Sequence, residues 1–323
     1  MSLAAGGAVA LAAALDRTLS EPPGRVHPVA WLGSVVGRLD DGLPESRAAG
    51  VAVAAVVPIA FAAVAALVVH WTGRIDPRLA PLTAAGVLFV CSSHRMLVDV
   101  AVDVVDLVET DIETARREVR ALAGRDASEL SPARLRSAVV ESAAENLADG
   151  LVAPLFAFGA AAVLAAALGG SSPLALGGAA GAAAWVKAVN TLDSMLGYPG
   201  RRFGWGPARL DDAVMWLPAR ATAFLIAVVG ITTAGTATAG TPRHVRHTLG
   251  RARTAARTPS SPNSGWPMAT LAAVLDVRLE KPGAYTLFPE RELPTADEAR
   301  EGIRLVSRAG WLGVGLVAVV VTV

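Results

Sequence analysis

Glu141 and Glu145 stand four residues apart in the run Glu-Ser-Ala-Ala-Glu-Asn-Leu-Ala-Asp-Gly, followed by Asn146 and Asp149. On a helix this spacing stacks the two glutamates on one face. Neighbouring carboxylates repel unless a cation sits between them or one holds a proton. The pair therefore suits cation binding or proton transfer; the plain alternative is a solvated helix end. A second constellation is Lys187, Asn190, Asp193 and Ser194, again on one helical face, with Asp193 among Leu192, Met195 and Leu196. Lys187 alone is explained by snorkelling at an interface. An ionisable group at membrane depth is expensive, which favours function for Asp193. Arg209, Asp211 and Asp212 form a third group, equally readable as a helix start, where acids complement the dipole.

Two loops add ligand types. Asp16 and Arg17 open a segment that runs through Pro22, Pro23 and Gly24 to Arg25 and His27. The prolines and the glycine forbid a helix there, so Arg25 and His27 sit on a turn. A turn histidine beside arginine suits a phosphate or carboxylate ligand, or is simply exposed. Residues 260–268, with Ser261, Asn263, Ser264 and Trp266, are turn-forming. An ordinary connector is the plain alternative, but Trp266 and Met268 argue for packing.

The elements that hold these groups are apolar. The chain has 323 residues, 53% hydrophobic and only 18% charged, against about 25% in ordinary soluble proteins. Net charge is +1, so no strongly basic surface points to nucleic acid. The single cysteine, Cys91, excludes an intramolecular disulfide and a four-cysteine zinc site. Apolar segments fall at 1–15, 51–69, 79–93, 151–168, 174–190, 221–242 and 303–323. A span needs about 20 apolar residues. Residues 51–69, 151–168, 174–190 and 221–242 meet that need, and the uncharged 15-residue pieces 1–15, 79–93 and 309–323 are marginal. The last reaches span length if Arg304 and Arg308 snorkel. The N-terminus lacks the basic region of a secretory leader.

No charge occurs between Asp149 and Lys187. Two apolar helices turning at residues 169–173 would return both polar motifs to one face of the bilayer. Residues 99–122 carry apolar positions at three- and four-residue steps, which predicts one amphipathic helix ended by Gly124. Ser131-Pro132 predicts the start of the next. The expected fold is therefore all-α: one polytopic membrane-embedded domain over 1–323, with amphipathic interfacial helices. Four polar segments, 16–47, 99–150, 190–212 and 243–302, separate the spans. The positive-inside rule favours the cytoplasmic side for all four, whereas span counting brings only the first three to that side.

Taken in order, these segments resemble the CobD/CbiB family of cobalamin biosynthesis. The likeness rests on residues 15–17 through 25–28, Glu141 to Asn146 with Asp149-Gly150, residues 153–156, Asn190 to Met195 with Gly197-Tyr198, residues 208–212, 218–220 and 261–265. It covers the chain from Leu15 to about Tyr285, and the glycine expected soon after that tyrosine is replaced by Thr-Leu-Phe-Pro. The resemblance implies a multi-pass protein of the inner cell membrane with its active face cytoplasmic. It implies ATP-dependent amide synthesis, joining a propionate of adenosylcobyric acid to (R)-1-amino-2-propanol phosphate to give adenosylcobinamide phosphate. ATP and Mg²⁺ are the implied cofactors, a corrinoid and an amino-alcohol phosphate the substrates, and other membrane enzymes of the pathway possible partners. Carried onto this sequence, Glu141, Glu145 and Asp149 take Mg²⁺-nucleotide or base work, with Asp193 a further catalytic candidate. Asp16, Arg17, Arg25, His27, Asn146, Lys187, Asn190, Ser194, Arg209, Asp211, Asp212, Asn263 and Ser264 are expected to bind substrate. No P-loop is present, so nucleotide binding would use another frame.

A transporter or a scaffold for corrin enzymes remain the alternatives. Charges at span ends rather than mid-span, and the lack of an internal repeat, favour an interfacial enzyme. A membrane alcohol-phosphate transferase would need regularly spaced aspartates after Asp149, where 37 uncharged residues follow instead.

Overall fold

The computed structural model describes residues 3–123, 127–170, 172–233 and 242–323. Among these residues the chain is all-α apart from one short hairpin. The helices are α1 (Leu3–Leu19), α2 (Pro28–Gly42), α3 (Arg47–Ile75), α4 (Leu79–Cys91), α5 (His94–Thr110), α6 (Ile112–Ala123), α7 (Pro132–Leu147), α8 (Ala153–Ala167), α9 (Ser172–Leu196), α10 (Trp205–Val214), α11 (Trp216–Thr233), α12 (Pro242–Ala255), α13 (Gly265–Leu275) and α14 (Ala296–Thr322). Strands β1 (Leu279–Lys281) and β2 (Tyr285–Leu287) pair antiparallel. The helix stop expected at Gly124, Ser171 of the turn, residues 234–241 of the stretch 221–242, and the side chain of Arg243 lie outside the described residues.

Among the described residues, four helical stretches are long and apolar enough to cross a membrane: Arg47–Ile75, Leu79–Thr110, Pro132–Ala167 and Ala296–Thr322. Counting α10 and α11 as one broken span makes five. The marginal pieces at 79–93 and 303–323 thus reach span length by extension into polar sequence. Residues 174–190 do not qualify, because α9 is rich in glycine and alanine and carries Lys187 and Asn190. Residues 221–233 qualify only together with α10.

The chain forms two compact units. One comprises Met1–Ser93, Asp149–Met215 and Gly313–Val323. Its centre is α9, packed against α3, α8, α4, α10 and α2. The small residues that weaken α9 as a span let it sit inside. A Cβ on Gly177 would stand 2.8 Å from the Ala66 carbonyl oxygen of α3, and one on Gly181 would stand 3.1 Å from that of Ala62. Small residues four apart thus bring two helix backbones together. Of the expected membrane hairpin the helix pairing is present: α8 and α9 pack on each other, with Gly169 at φ 69°. The lower core is Leu32, Val36, Val53, Leu192, Leu196 and Phe203.

The second unit comprises His94–Ala148 and Trp216–Leu312. The single amphipathic helix expected over 99–122 is two, α5 and α6, broken at Asp111. Its carboxylate accepts from the Thr114 amide at 3.1 Å and from the Thr114 hydroxyl at 2.6 Å. That cap offers the backbone an alternative to a continuous helix, which apolar periodicity does not register. α7 begins as expected, with the Ser131 hydroxyl accepting from the Arg134 amide and Pro132 in the first turn.

Candidate functional site

α7 does not stop at Gly150. The helical path runs on through a π turn, Ala148–Val152, into α8. Asp149 therefore sits in a widened turn, a distortion frequent at functional sites. The Ser93 amide donates to the Gly150 carbonyl at 2.9 Å. A side chain on Gly150 would reach the Ser93 hydroxyl at 2.7 Å.

In the unit that holds Asp149, α9 and α10 bring further polar groups to it. Asn190 hydrogen-bonds both Asp149 and Asp211. Lys187 and Asp193 act electrostatically on Asp149, and Asp212 acts on Asp193 and Asp211. Oδ1 of Asp211 is buried without a hydrogen-bond partner. Asp212 is held by Arg209 at 2.9 Å. The expected alternative of a helix start is overturned for this pair. Asp211 and Asp212 lie in the last turn of α10, where the helix dipole disfavours negative charge. Glycines let the backbone close around the group. A side chain on Gly197 would run into the Asp193 carboxylate, and one on Gly204 into the Leu196 carbonyl.

Lys187 also reaches the first polar segment. It acts on His27 and Glu21, two groups between α1 and the start of α2. His27 caps α2: its Nδ1 accepts from the Val29 amide at 3.2 Å. A neutral imidazole accepting at Nδ1 carries its proton at Nε2. That Nε2 is buried without a hydrogen-bond partner, 4.0 Å from Oε2 of Glu21. Burial, then the Lys187 charge, pulls the His27 pKa below its ordinary 6.5. Burial pushes Glu21 above its ordinary 4.5, partly offset by Lys187. Sequence reasoning passed over Glu21; its place beside Pro22 and Pro23, just before Arg25 and His27, was the available signal. Asp16 is buried in the last turn of α1, whereas Arg17, Arg25 and Ser194 are exposed.

The structure does not gather Glu141, Glu145 and Asp149 into one ligand set. Among the described residues, no group of three His, Cys, Asp or Glu side chains stands ready to hold a metal ion. The π turn takes Asp149 out of the α-helical register of the two glutamates. Glu141 is 1% exposed and Glu145 half-buried, both in the second unit. Asn146 donates its amide to the Leu122 carbonyl at 3.1 Å, tying down the end of α6, a structural use that its neighbours in sequence concealed.

The second unit has its own polar cluster around Asn263. Ser261 Oγ accepts from the amides of Asn263 and Ser264 at 3.2 and 3.3 Å. The expected turn ends at Ser264, and residues 265–268 form the first turn of α13. Oδ1 of Asn263 accepts from Nη1 of Arg220 at 3.2 Å. The Arg220 guanidinium carbon stands over the rings of both Trp216 and Trp266, 4.3 and 4.9 Å from their centroids. Trp216 and Arg220 are four apart on α11, whereas Trp266 lies 50 and 46 positions further on, so no local pattern brings it to them.

The family model described as CobD/Cbib protein matches residues 9–309. A probable cobalamin biosynthesis protein CobD of Methanothrix thermoacetophila is 33% identical, over 93% of this chain and 91% of that protein. One of Methanothermobacter thermautotrophicus is 37% identical, over 86% and 84%. The cobalamin biosynthesis protein CobD of Klebsiella pneumoniae is 33% identical, over 84% and 81%. No solved structure gives a significant match. With the match running through the aspartate cluster, the capped His27 and the Asn263 turn alike, the chain belongs to the CobD/CbiB family.

Proposed function

We propose that this chain works in cobalamin biosynthesis as an amide-forming ligase. It joins the propionate of adenosylcobyric acid to (R)-1-amino-2-propanol phosphate at the expense of ATP, giving adenosylcobinamide phosphate. The observation that carries this is the cluster of Asp149, Asp193 and Asp211 around Asn190, with Lys187 and His27 beside it, in a chain of this family.

The donor set suits Mg²⁺ brought in with a nucleotide. Mg²⁺ keeps several waters and is commonly held by one or two carboxylates plus substrate phosphates. A ready-made cage of three carboxylates is therefore unnecessary. The unpartnered Oδ1 of Asp211 would supply one ligand, and Asp149 or Asp193 another. When bound, Mg²⁺-ATP supplies the phosphoryl group that makes the propionate a competent acyl donor.

The chain's own groups do the rest. Lys187 and the Nε2 proton of His27 hold phosphate or propionate oxygens, and Arg17 and Arg25 hold anionic groups at the exposed rim. An ionised carboxylate of the cluster takes the proton that the ammonium must lose before it attacks. The amine nitrogen then bonds to the acyl carbon, and phosphate leaves. No cysteine or serine nucleophile is required, in keeping with a buried Cys91. The polar sites face the cytoplasm at the inner membrane, following the excess of arginine in the loops.

The test is purified protein in liposomes with adenosylcobyric acid, aminopropanol phosphate and Mg²⁺-ATP. ATP consumption that depends on both substrates, with the amide as product, supports the ligase. Corrinoid flux without ATP use would identify a transporter, and inert protein a scaffold.

A further inference from the structure

A cavity of about 600 Å³ opens beside Arg220 in the second unit. Its lining holds Arg220, Arg253 and Arg257, the indoles of Trp216 and Trp266, and Ser261. No acidic residue lines it among the described residues. Among the described residues, no carboxylate pairs with any of the three arginines. Elsewhere on this chain, arginines of the same unit do find carboxylates, as Arg136 finds Glu109 at 2.7 Å and Arg300 finds Asp106 at 2.9 Å. Three uncompensated guanidinium groups around one cavity make a strongly positive field there.

Arg220 is also held in a fixed pose. Two indoles pack against its guanidinium. Nη1 bonds the Trp216 carbonyl at 2.6 Å and Asn263 at 3.2 Å. A guanidinium has five N–H donors in a planar fork. Those on Nε and Nη2 make no bond to the described residues. A rigid fork with free donors, two further guanidinium groups and a serine hydroxyl match the oxygens of phosphate. The volume lies in the range of small-molecule sites.

We propose that this cavity binds a phosphate-bearing ligand, with Arg220 as the oriented anchor and Arg253 and Arg257 supplying charge. The phosphate comes either from a soluble polyphosphate group or from an anionic lipid headgroup. The inference goes beyond amide synthesis, and its test reads binding without turnover.

The full chain in neutral detergent is titrated calorimetrically with inorganic tripolyphosphate, and separately reconstituted in nanodiscs with and without phosphatidylglycerol. The double variant Arg253→Gln/Arg257→Gln changes exposed side chains, so it retains the fold, as thermal unfolding checks. Saturable tripolyphosphate binding that this variant weakens about tenfold or more supports a soluble ligand. Absence of such binding, with phosphatidylglycerol retained by the wild type and lost from the variant, supports the headgroup. Arg220→Lys keeps the charge but loses the fork, and weakens whichever ligand binds. Binding of neither probe, or equal binding by wild type and double variant, overturns the proposal.

Discussion

Nε2 of His27 stands 4.0 Å from Oε2 of Glu21, and the same imidazole uses Nδ1 to cap α2. One ring therefore fixes a helix start with one nitrogen and leaves the other beside Glu21. The two groups depart from their ordinary pKa values in opposite directions, mainly through burial.

For His27 the folded value lies below the unfolded 6.5. As pH falls through 6.5, the unfolded chain takes the proton first and stability declines. His27→Gln removes that acid limb, which thermal unfolding between pH 7.5 and 5 reads. In turnover, His27→Phe loses the donor and falls about 10- to 100-fold, while His27→Gln recovers part of it.

Glu21 has the opposite sign. Its folded value lies above the unfolded 4.5, so its stabilising contribution is present below 4.5 and is lost as pH rises through the folded value. Glu21→Gln therefore raises Tm at pH 7.5 and gives no gain near pH 4. A drop at pH 7.5 would contradict the assignment.

Arg201 clamps the entry to α10. Its guanidinium bonds both oxygens of Asp40, at 2.6 and 3.1 Å, and Glu45 at 2.9 Å, while Glu45 also accepts from the Phe203 amide at 2.9 Å. The hydrogen bonds from Arg201 hold Asp40 below its ordinary 3.8. That contribution is present above 3.8 and is lost as pH falls through the lowered value. Arg201→Lys breaks the two-pronged contact; it lowers Tm modestly at pH 7 and flattens the acid limb, with solvent screening keeping the effect small.

Gly177 and Gly178 are adjacent, but only Gly177 faces a backbone, the Ala66 carbonyl at 2.8 Å from a hypothetical Cβ. Around Gly178 there is nothing within 4 Å. Gly177→Ala therefore costs about 1–3 kcal/mol by forcing α3 and α9 apart. Gly178→Ala is neutral or slightly stabilising through helix propensity. Equal effects at the two positions would contradict the close approach.

Much of this architecture was legible where a local signal existed. Ser131-Pro132 started a helix, Gly169 turned the hairpin, and Pro22, Pro23 and Gly24 broke the chain before His27. The break at Asp111 was hidden because its cap competes with a periodicity that continues across it. The π turn at Asp149 changes helical register without any marker residue, so nothing in the sequence separated Asp149 from Glu141 and Glu145, with which the resemblance grouped it. Asp211-Asp212 looked like a helix start because acid pairs commonly occur there, and only the preceding fold of Trp205 to Leu210 makes it an end. The contact of Arg220 with Trp266 depends on tertiary packing of α11 with α13, which no spacing encodes.

The central claim is that the aspartates around Asn190 carry the chemistry. Its most direct test is turnover of amide product by Asp193→Asn and Asp211→Asn in liposomes, each beside a Tm measurement. The account predicts a loss of kcat of about 100-fold or more in both, with the fold retained. Full turnover by both variants would contradict it.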